Sequence, residues 1–330
     1  MSDGKLLKPP RQQPESNIRA LAEGAMLTAI TLVLAVISLY IPVLNIVAQF
    51  LFPAPLALLV LRRGLKYGLL SAASIFLLSA MLLGLPHAVY LFILYGFMGL
   101  FFGWCFRSDK KAAFAILGGV LISCASIIIL LLFPKYILGI SADSMREMLV
   151  TMYRDFALMA EQQGTSSMLG GMTVEEYVDF ALKYLPFILL LFAMLLSFAC
   201  YALMGRLLRR LGYDIPKLPP FSDWRLDWRL LWLLIISLFA SSLGERMDNE
   251  LLTQIANNLL AALQIIFMIY GLAVLIWVFA RNKVAVIIRI VAILFLLQLL
   301  SGMLVVLIGV FDPLFNFRGL IEKYAKTRLK

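Results

Sequence analysis

Any chemistry in this chain must come from few polar groups. His87 is the only histidine. Asp214, Asp223, Asp227, Asp248 and Asp312 all stand at or beyond the ends of apolar runs. That leaves no aspartate pair at membrane depth for an intramembrane protease. HExxH, GxSxG and GxxxxGK[ST] are each missing from the sequence, so no zinc hydrolase, serine hydrolase or nucleotide-phosphate loop is expected. Cys105, Cys124 and Cys200 form no CxxC and read as small hydrophobes rather than disulfide or zinc ligands. Neither enzymatic catalysis nor a resident cofactor or metal is expected. What remains is binding chemistry. Gln49, Asn257, Asn258, Gln264 and Gln298 are amides in apolar surroundings, suited to ligand contact or to hydrogen bonds between helices. Gln264 and Gln298 lie deepest and are the expected ligand contacts from the C-terminal half. His87 follows Pro86 in a short turn, with Tyr90 and Tyr95 beyond it, and is a candidate contact at an outer vestibule. Pro53 and Pro55 interrupt an apolar run and free backbone carbonyls, which only packed protein or a cavity can satisfy at that depth, and they too are candidate ligand contacts.

The elements that must position these residues are membrane spans. Apolar residues make up 62% of the 330 residues and charged residues 15%, with mean hydropathy +0.94. A soluble chain has roughly 45–50% apolar residues, and this excess has nowhere to go but lipid. The expected fold is an all-α polytopic transmembrane bundle of nine spans, or eight. The runs are Ala25–Ile41, Ile46–Leu61, Tyr67–Leu83, Ala88–Phe106, Ala112–Phe133, Leu185–Met204, Leu230–Leu243, Ile255–Ala280 and Val284–Val310. The seventh is short and the ninth long. The net charge of +10 comes from basic residues clustered at run ends, which is the signature of membrane orientation and argues against nucleic acid as a partner. With the N-terminus in the cytoplasm, 18 Lys and Arg fall on the inner connections and five on the outer ones. The C-terminal tail, with Arg318, Lys323, Lys326, Arg328 and Lys330, does not fit a ninth full crossing.

The division expected is a polar N-terminus at 1–24, a six-span unit at 25–206, a cytoplasmic linker at 207–229, a three-span unit at 230–311 and a basic amphipathic tail at 312–330. The outer insert 135–183 carries two capping boxes, Ser144–Glu147 and Thr173–Glu176, each opening an amphipathic helix. Trp224, Trp228 and Trp232 beside Arg225 and Arg229 read as an interface anchor. Arg289, about five residues into the ninth run, is expected to snorkel back to the interface. Asp312-Pro313 reads as the N-cap and first residue of a surface helix, with an exposed and weak Asp312–Arg318 pair.

Two stretches carry a resemblance. The opening Arg19-Ala-Leu-Ala-Glu-Gly-Ala-Met-Leu-Thr-Ala29 and the closing Gly309-Val-Phe-Asp-Pro-Leu-Phe-Asn-Phe-Arg318 resemble the YybS-like family of bacterial multi-pass membrane proteins, a family of unknown function. The resemblance covers nearly the whole chain and implies the bacterial cytoplasmic membrane. More distantly, the first six spans are similar to the substrate-binding S components of energy-coupling-factor vitamin transporters. In those proteins an AxxxA on the first span meets the membrane coupling subunit, and Ala25 and Ala29 match that pattern. The chain departs from them in running about three spans further and in lacking recognisable vitamin-binding residues. The resemblance implies a component that binds and takes up a small, vitamin-like molecule and depends on partner subunits. The alternative is a membrane scaffold that docks other proteins and transports nothing.

Overall fold

The structure is a computed structural model that describes residues 17–137, 139–162, 172–282, 284–298 and 302–319. Every long element among them is a helix. They run in the order α1 (Asn17–Tyr40), α2 (Pro42–Leu51), α3 (Pro53–Arg63), α4 (Leu65–Leu83) and α5 (Leu85–Leu91). A π-helical turn (Phe92–Gly96), α6 (Phe97–Arg107), α7 (Ala112–Ile137), α8 (Ala142–Gln162) and α9 (Val174–Lys183) follow. Last come α10 (Leu185–Arg210), α11 (Leu230–Arg246), α12 (Glu250–Arg281), α13 (Val286–Gln298) and α14 (Met303–Phe315). Seven stretches among the described residues are long and apolar enough to cross a membrane: 17–40, 42–63, 65–83, 85–107, 112–136, 185–210 and 250–281. At 17 residues, α11 rises about 26 Å, close to the ~30 Å hydrocarbon core. The ninth run differs from expectation. It divides into α13 and α14, 13 residues each, and α14 opens at Gly302, whose φ of +77° suits only glycine without strain.

The chain forms two compact units. The first comprises residues 1–178 and 189–218, the second residues 179–188 and 219–330. In the first, α3 and α6 form the centre. Gly99 and Gly103 on α6 let the backbones meet: a Cβ at Gly99 would lie 2.8 Å from the Pro53 carbonyl oxygen, and one at Gly103 would lie 2.7 Å from that of Ala57. This is small-xxx-small packing. Around it lie the buried Phe52, Leu56, Val60, Phe102, Tyr201 and Met204. Cys105 and Cys200 are buried there and Cys124 half-buried, all as free thiols. Glu23 ties α1 to α3, with one carboxylate oxygen 2.6 Å from Arg62 and the other 2.6 Å from Arg63. Arg62 also donates to the Tyr213 hydroxyl at 2.5 Å, and Tyr201 donates to the Pro216 carbonyl at 2.7 Å. These bonds hold residues 213–216 of the linker onto the unit, with Ile215 buried.

Among the described residues, the 135–183 insert follows the expected pattern with one shift. Thr173 and Glu176 form the reciprocal capping box, each side chain bonding the other's backbone N–H. At α8 the cap is Ser141, whose hydroxyl accepts from Ser144 N–H at 3.1 Å. Ser144 therefore sits one turn inside the helix rather than capping it. A hydroxyl three residues upstream of a backbone N–H does the same work wherever the helix begins.

The second unit corrects the reading of Asp312. Here α14 runs through Asp312 and Pro313 to Phe315, and Asn316, at φ +47°, ends it. Asp312 is buried inside the helix. Its carboxylate accepts from the Tyr270 hydroxyl at 2.7 Å and stands 3.5 Å from Arg318 Nε. Arg318 is buried as well, donates to the Ser222 carbonyl at 2.6 Å, and lies 5.2 Å from the Tyr270 ring centroid. The pair expected at the surface is an interior one: a tyrosine and a backbone carbonyl satisfy Asp312 Oδ2 and one Arg318 Nη, while Asp312 Oδ1 and two guanidinium nitrogens are buried without a hydrogen-bond partner among the described residues. Residues 320–330 of the amphipathic tail lie outside the described residues. Arg289 folds back to donate to the Val284 carbonyl at 2.7 Å, toward the start of its own helix.

Candidate functional site

One unbroken chain of uncharged polar groups runs through the first unit. It starts at Tyr90 and Tyr95, whose hydroxyls both donate to Gln49 Oε1 at 3.1 Å. Gln49 Nε2 donates to Asn45 Oδ1 at 3.0 Å, and the Asn45 amide donates to the Ser38 carbonyl. The Ser38 hydroxyl gives its proton to the Ala35 carbonyl at 2.7 Å. Its oxygen is 3.4 Å from His87 Nε2. Since that hydroxyl proton is already committed, the contact needs His87 protonated at Nε2, leaving Nδ1 as acceptor in the neutral ring. Tyr95 and Ser38 are buried, whereas His87, Asn45, Gln49 and Tyr90 are half-buried. Phe50 and Phe52 pack edge-on against the Tyr95 ring at 6.5 Å.

Two helix irregularities build this chain. In a regular α-helix, residues five apart point about 140° away from each other. The π-helical turn at Phe92–Gly96 widens the spiral, so Tyr90 and Tyr95 reach the same amide. The other irregularity is the junction of α2 and α3. Pro53 occupies the first turn of α3, where a missing N–H costs nothing. Phe52 N–H takes up the Gln49 carbonyl at 3.2 Å. Gln49 thus sits in the last turn of α2, free to face the tyrosines.

The predicted residues divide. His87 belongs to the chain. Pro53 and Pro55 are buried and adjoin it through the backbone, Pro53 lying against Gly99 of α6. Gln264 and Gln298 are exposed on α12 and α13 and make no hydrogen bond among the described residues. Ala25 and Ala29 are exposed too, but on a shared feature: they line a groove of about 380 Å³ between α1 and α4. Its floor is the 2.6 Å hydrogen bond between the Thr28 and Ser71 hydroxyls. Ser38 and Asn45 escaped the sequence reading, and the tyrosine pair entered it only as residues beyond His87. No spacing rule flags a π-helical turn, although two tyrosines and an amide within otherwise apolar runs were a usable signal.

The first unit is therefore a helical membrane bundle with an internal, uncharged hydrogen-bonding site. Residues 29–313 match the model of the family described as "Predicted membrane protein (DUF2232)", and the chain belongs to that family. It is also similar to the "Uncharacterized protein YybS" of Bacillus subtilis (strain 168). The two are 28% identical over 211 residues, which cover 62% of this chain and 67% of the relative. No solved structure matches. The opening and closing stretches that carry the family resemblance hold structural anchors: Glu23 and Thr28 in one, Gly309, Asp312 and Arg318 in the other.

Proposed function

We propose that this chain is a binding component for a neutral, vitamin-like small molecule in the bacterial cytoplasmic membrane, N-terminus inside, that relies on a partner subunit for energy. The observation that carries this reading is the chain of six uncharged residues from His87 to Tyr95. Burying polar groups in a membrane bundle is costly unless each is bonded, and two departures from helix regularity go into assembling this set. After its internal bonds, the chain keeps amide N–H groups on Gln49 and Asn45 and lone pairs on both tyrosines. These suit a ligand that offers acceptors and donors without charge. In its one serine–histidine contact the Ser38 proton goes to the Ala35 carbonyl rather than to His87, which favours binding over catalysis.

The α1–α4 groove supports the partner dependence. Ala25 and Ala29 stand open beside the small Ser71 and Ser74, so a foreign helix could approach closely. A scaffold that moves nothing would use the groove alone. Mass spectrometry of the detergent-purified protein separates the two. A bound small molecule is expected in the wild type and is lost in Gln49→Leu, which removes the hub of the chain while keeping its volume. A wild type that never carries or binds a small molecule leaves the scaffold reading ahead. Ala25→Leu with Ala29→Leu is expected to keep the ligand and abolish co-purification of a membrane partner. Retention of the partner would mean that the groove faces lipid only.

A further inference from the structure

A groove of about 430 Å³ lies on the first unit between α6, α7 and the start of α4. Leu65, Phe97, Phe101, Trp104, Ile122 and Ile129 form its walls. Phe97 and Trp104 lie seven residues apart on α6, as do Ile122 and Ile129 on α7. At 1.5 Å per residue the groove extends about 10 Å along the helices. Its one hydroxyl is taken, because Ser126 donates to the Ile93 carbonyl at 2.7 Å. Among the lining residues the Trp104 indole N–H is the other polar side-chain group. Such a surface suits a hydrocarbon chain.

One end of the groove is charged. Lys110 Nζ stands 5.7 Å from the Trp104 ring centroid and 5.9 Å from that of Phe114. The rings of Phe101, Trp104 and Phe114 cluster there, with centroids 6.0, 6.4 and 6.4 Å apart. Arg107 reaches the same end. It donates to the Leu61 carbonyl at 3.1 Å, and its Cζ lies 3.6 Å from a Cβ built at Gly64, the residue before Leu65. Among the described residues neither cation forms an ion pair, and neither does the neighbouring Asp109. A basic residue beside a tryptophan is by itself an ordinary interface anchor. Arg281, 5.5 Å from the Trp277 ring at the end of α12, is one. At Lys110 the anchor also stands at the mouth of an apolar groove, so unpaired charge and chain-sized apolar surface coincide. The basic residues of the connections assign this end to the cytoplasmic side, where each Lys or Arg near an anionic membrane surface gains about 1 kcal/mol.

We infer that this groove is a binding site for an anionic phospholipid of the cytoplasmic leaflet. One acyl chain lies along α6 and α7, and the phosphate meets Lys110 and Arg107 beside the Trp104 ring. Charge complementarity sets the class: a zwitterionic lipid would bring its own ammonium against two unpaired cations. The site is separate from the uncharged chain between His87 and Tyr95 and does not depend on that reading.

Native mass spectrometry of the delipidated, detergent-purified full chain, titrated with phosphatidylglycerol or phosphatidylcholine, tests the inference. The first phosphatidylglycerol is expected to bind at least about tenfold tighter than phosphatidylcholine, a difference of ~1.4 kcal/mol. Lys110→Gln should remove most of that preference. Ala125→Phe should weaken the first phosphatidylglycerol, because Ala125 lines the groove and a ring there fills it. Both side chains are exposed, so both variants should melt near the wild type. Arg281→Gln should leave the first binding event unchanged, and excess inorganic phosphate should not displace the lipid. Equal affinity for the two lipids overturns the inference, as does undiminished binding in either groove variant. So does displacement by free phosphate, or an equal loss in Arg281→Gln, which would reveal only a generally positive surface.

Discussion

Gly309→Leu is expected to be the most damaging single change outside the first unit, costing more than about 4 kcal/mol and preventing the α12–α14 pair from forming. The two backbones meet at Gly271 and Gly309. A Cβ at Gly309 would lie 2.8 Å from the Phe267 carbonyl carbon and closer still to its oxygen. One at Gly271 would lie 2.9 Å from the Val305 carbonyl carbon. These neighbours are backbone, so no rotamer change relieves the clash, and separating the helices forfeits their dispersion contacts. Thermal unfolding of the purified protein, followed by loss of the monodisperse peak, gives the readout. Gly309→Ala should already lower the transition, and Gly309→Leu should lower it much further or abolish expression. Leu307→Phe on the exposed side of the same helix should shift it by no more than the equivalent of about 0.5 kcal/mol. A Gly309→Leu protein that melts like the wild type would show that the helices do not meet there.

Arg318→Met is expected to cost about 3–5 kcal/mol, the range seen when one partner of a buried ion pair is removed. Arg318 is 2% and Asp312 4% exposed. Without the guanidinium, the carboxylate keeps only the Tyr270 hydroxyl, and the Ser222 carbonyl loses its donor. The double variant Asp312→Leu, Arg318→Met should recover much of the loss, because it removes both charges and leaves the Tyr270 hydroxyl and the Ser222 carbonyl to find water. A double-mutant cycle on melting free energies reads this directly. If the single losses simply add, the two side chains are not coupled and the interior pair is an incidental contact.

Much of the fold was legible in the residues. The first six runs and the eighth appear as helical stretches whose bounds differ from the expected ones by up to eight residues, because lipid leaves the backbone no other way to satisfy its hydrogen bonds. The Thr173 capping box held because its bonding is local. The Val284–Val310 run did not hold as one helix, since hydropathy counts apolar residues and says nothing of a left-handed break at Gly302. Gln264 and Gln298 were chosen for depth, and depth is all that an apolar run reveals. A helix that is apolar around its whole circumference carries no stripe to show which face turns inward. The same blindness hid Asp312: its neighbours permit an N-cap, and only Tyr270, 42 residues away, draws it into the interior.

By itself, the sequence determined that this is a multi-pass helical membrane protein, where most of its apolar spans lie, and which polar residues had to be accounted for. Those properties follow from local composition, since crossing lipid is decided segment by segment. Tertiary structure alone decided that His87, Ser38, Asn45, Gln49, Tyr90 and Tyr95 form one hydrogen-bonded chain, and that Ala25 and Ala29 open onto a groove while Gln264 and Gln298 are exposed without a hydrogen bond among the described residues. These outcomes depend on the rotation of each helix about its axis and on a single π-helical turn. In this chain, rotation is set by where glycines let backbones touch, a relation between residues that lie far apart in sequence.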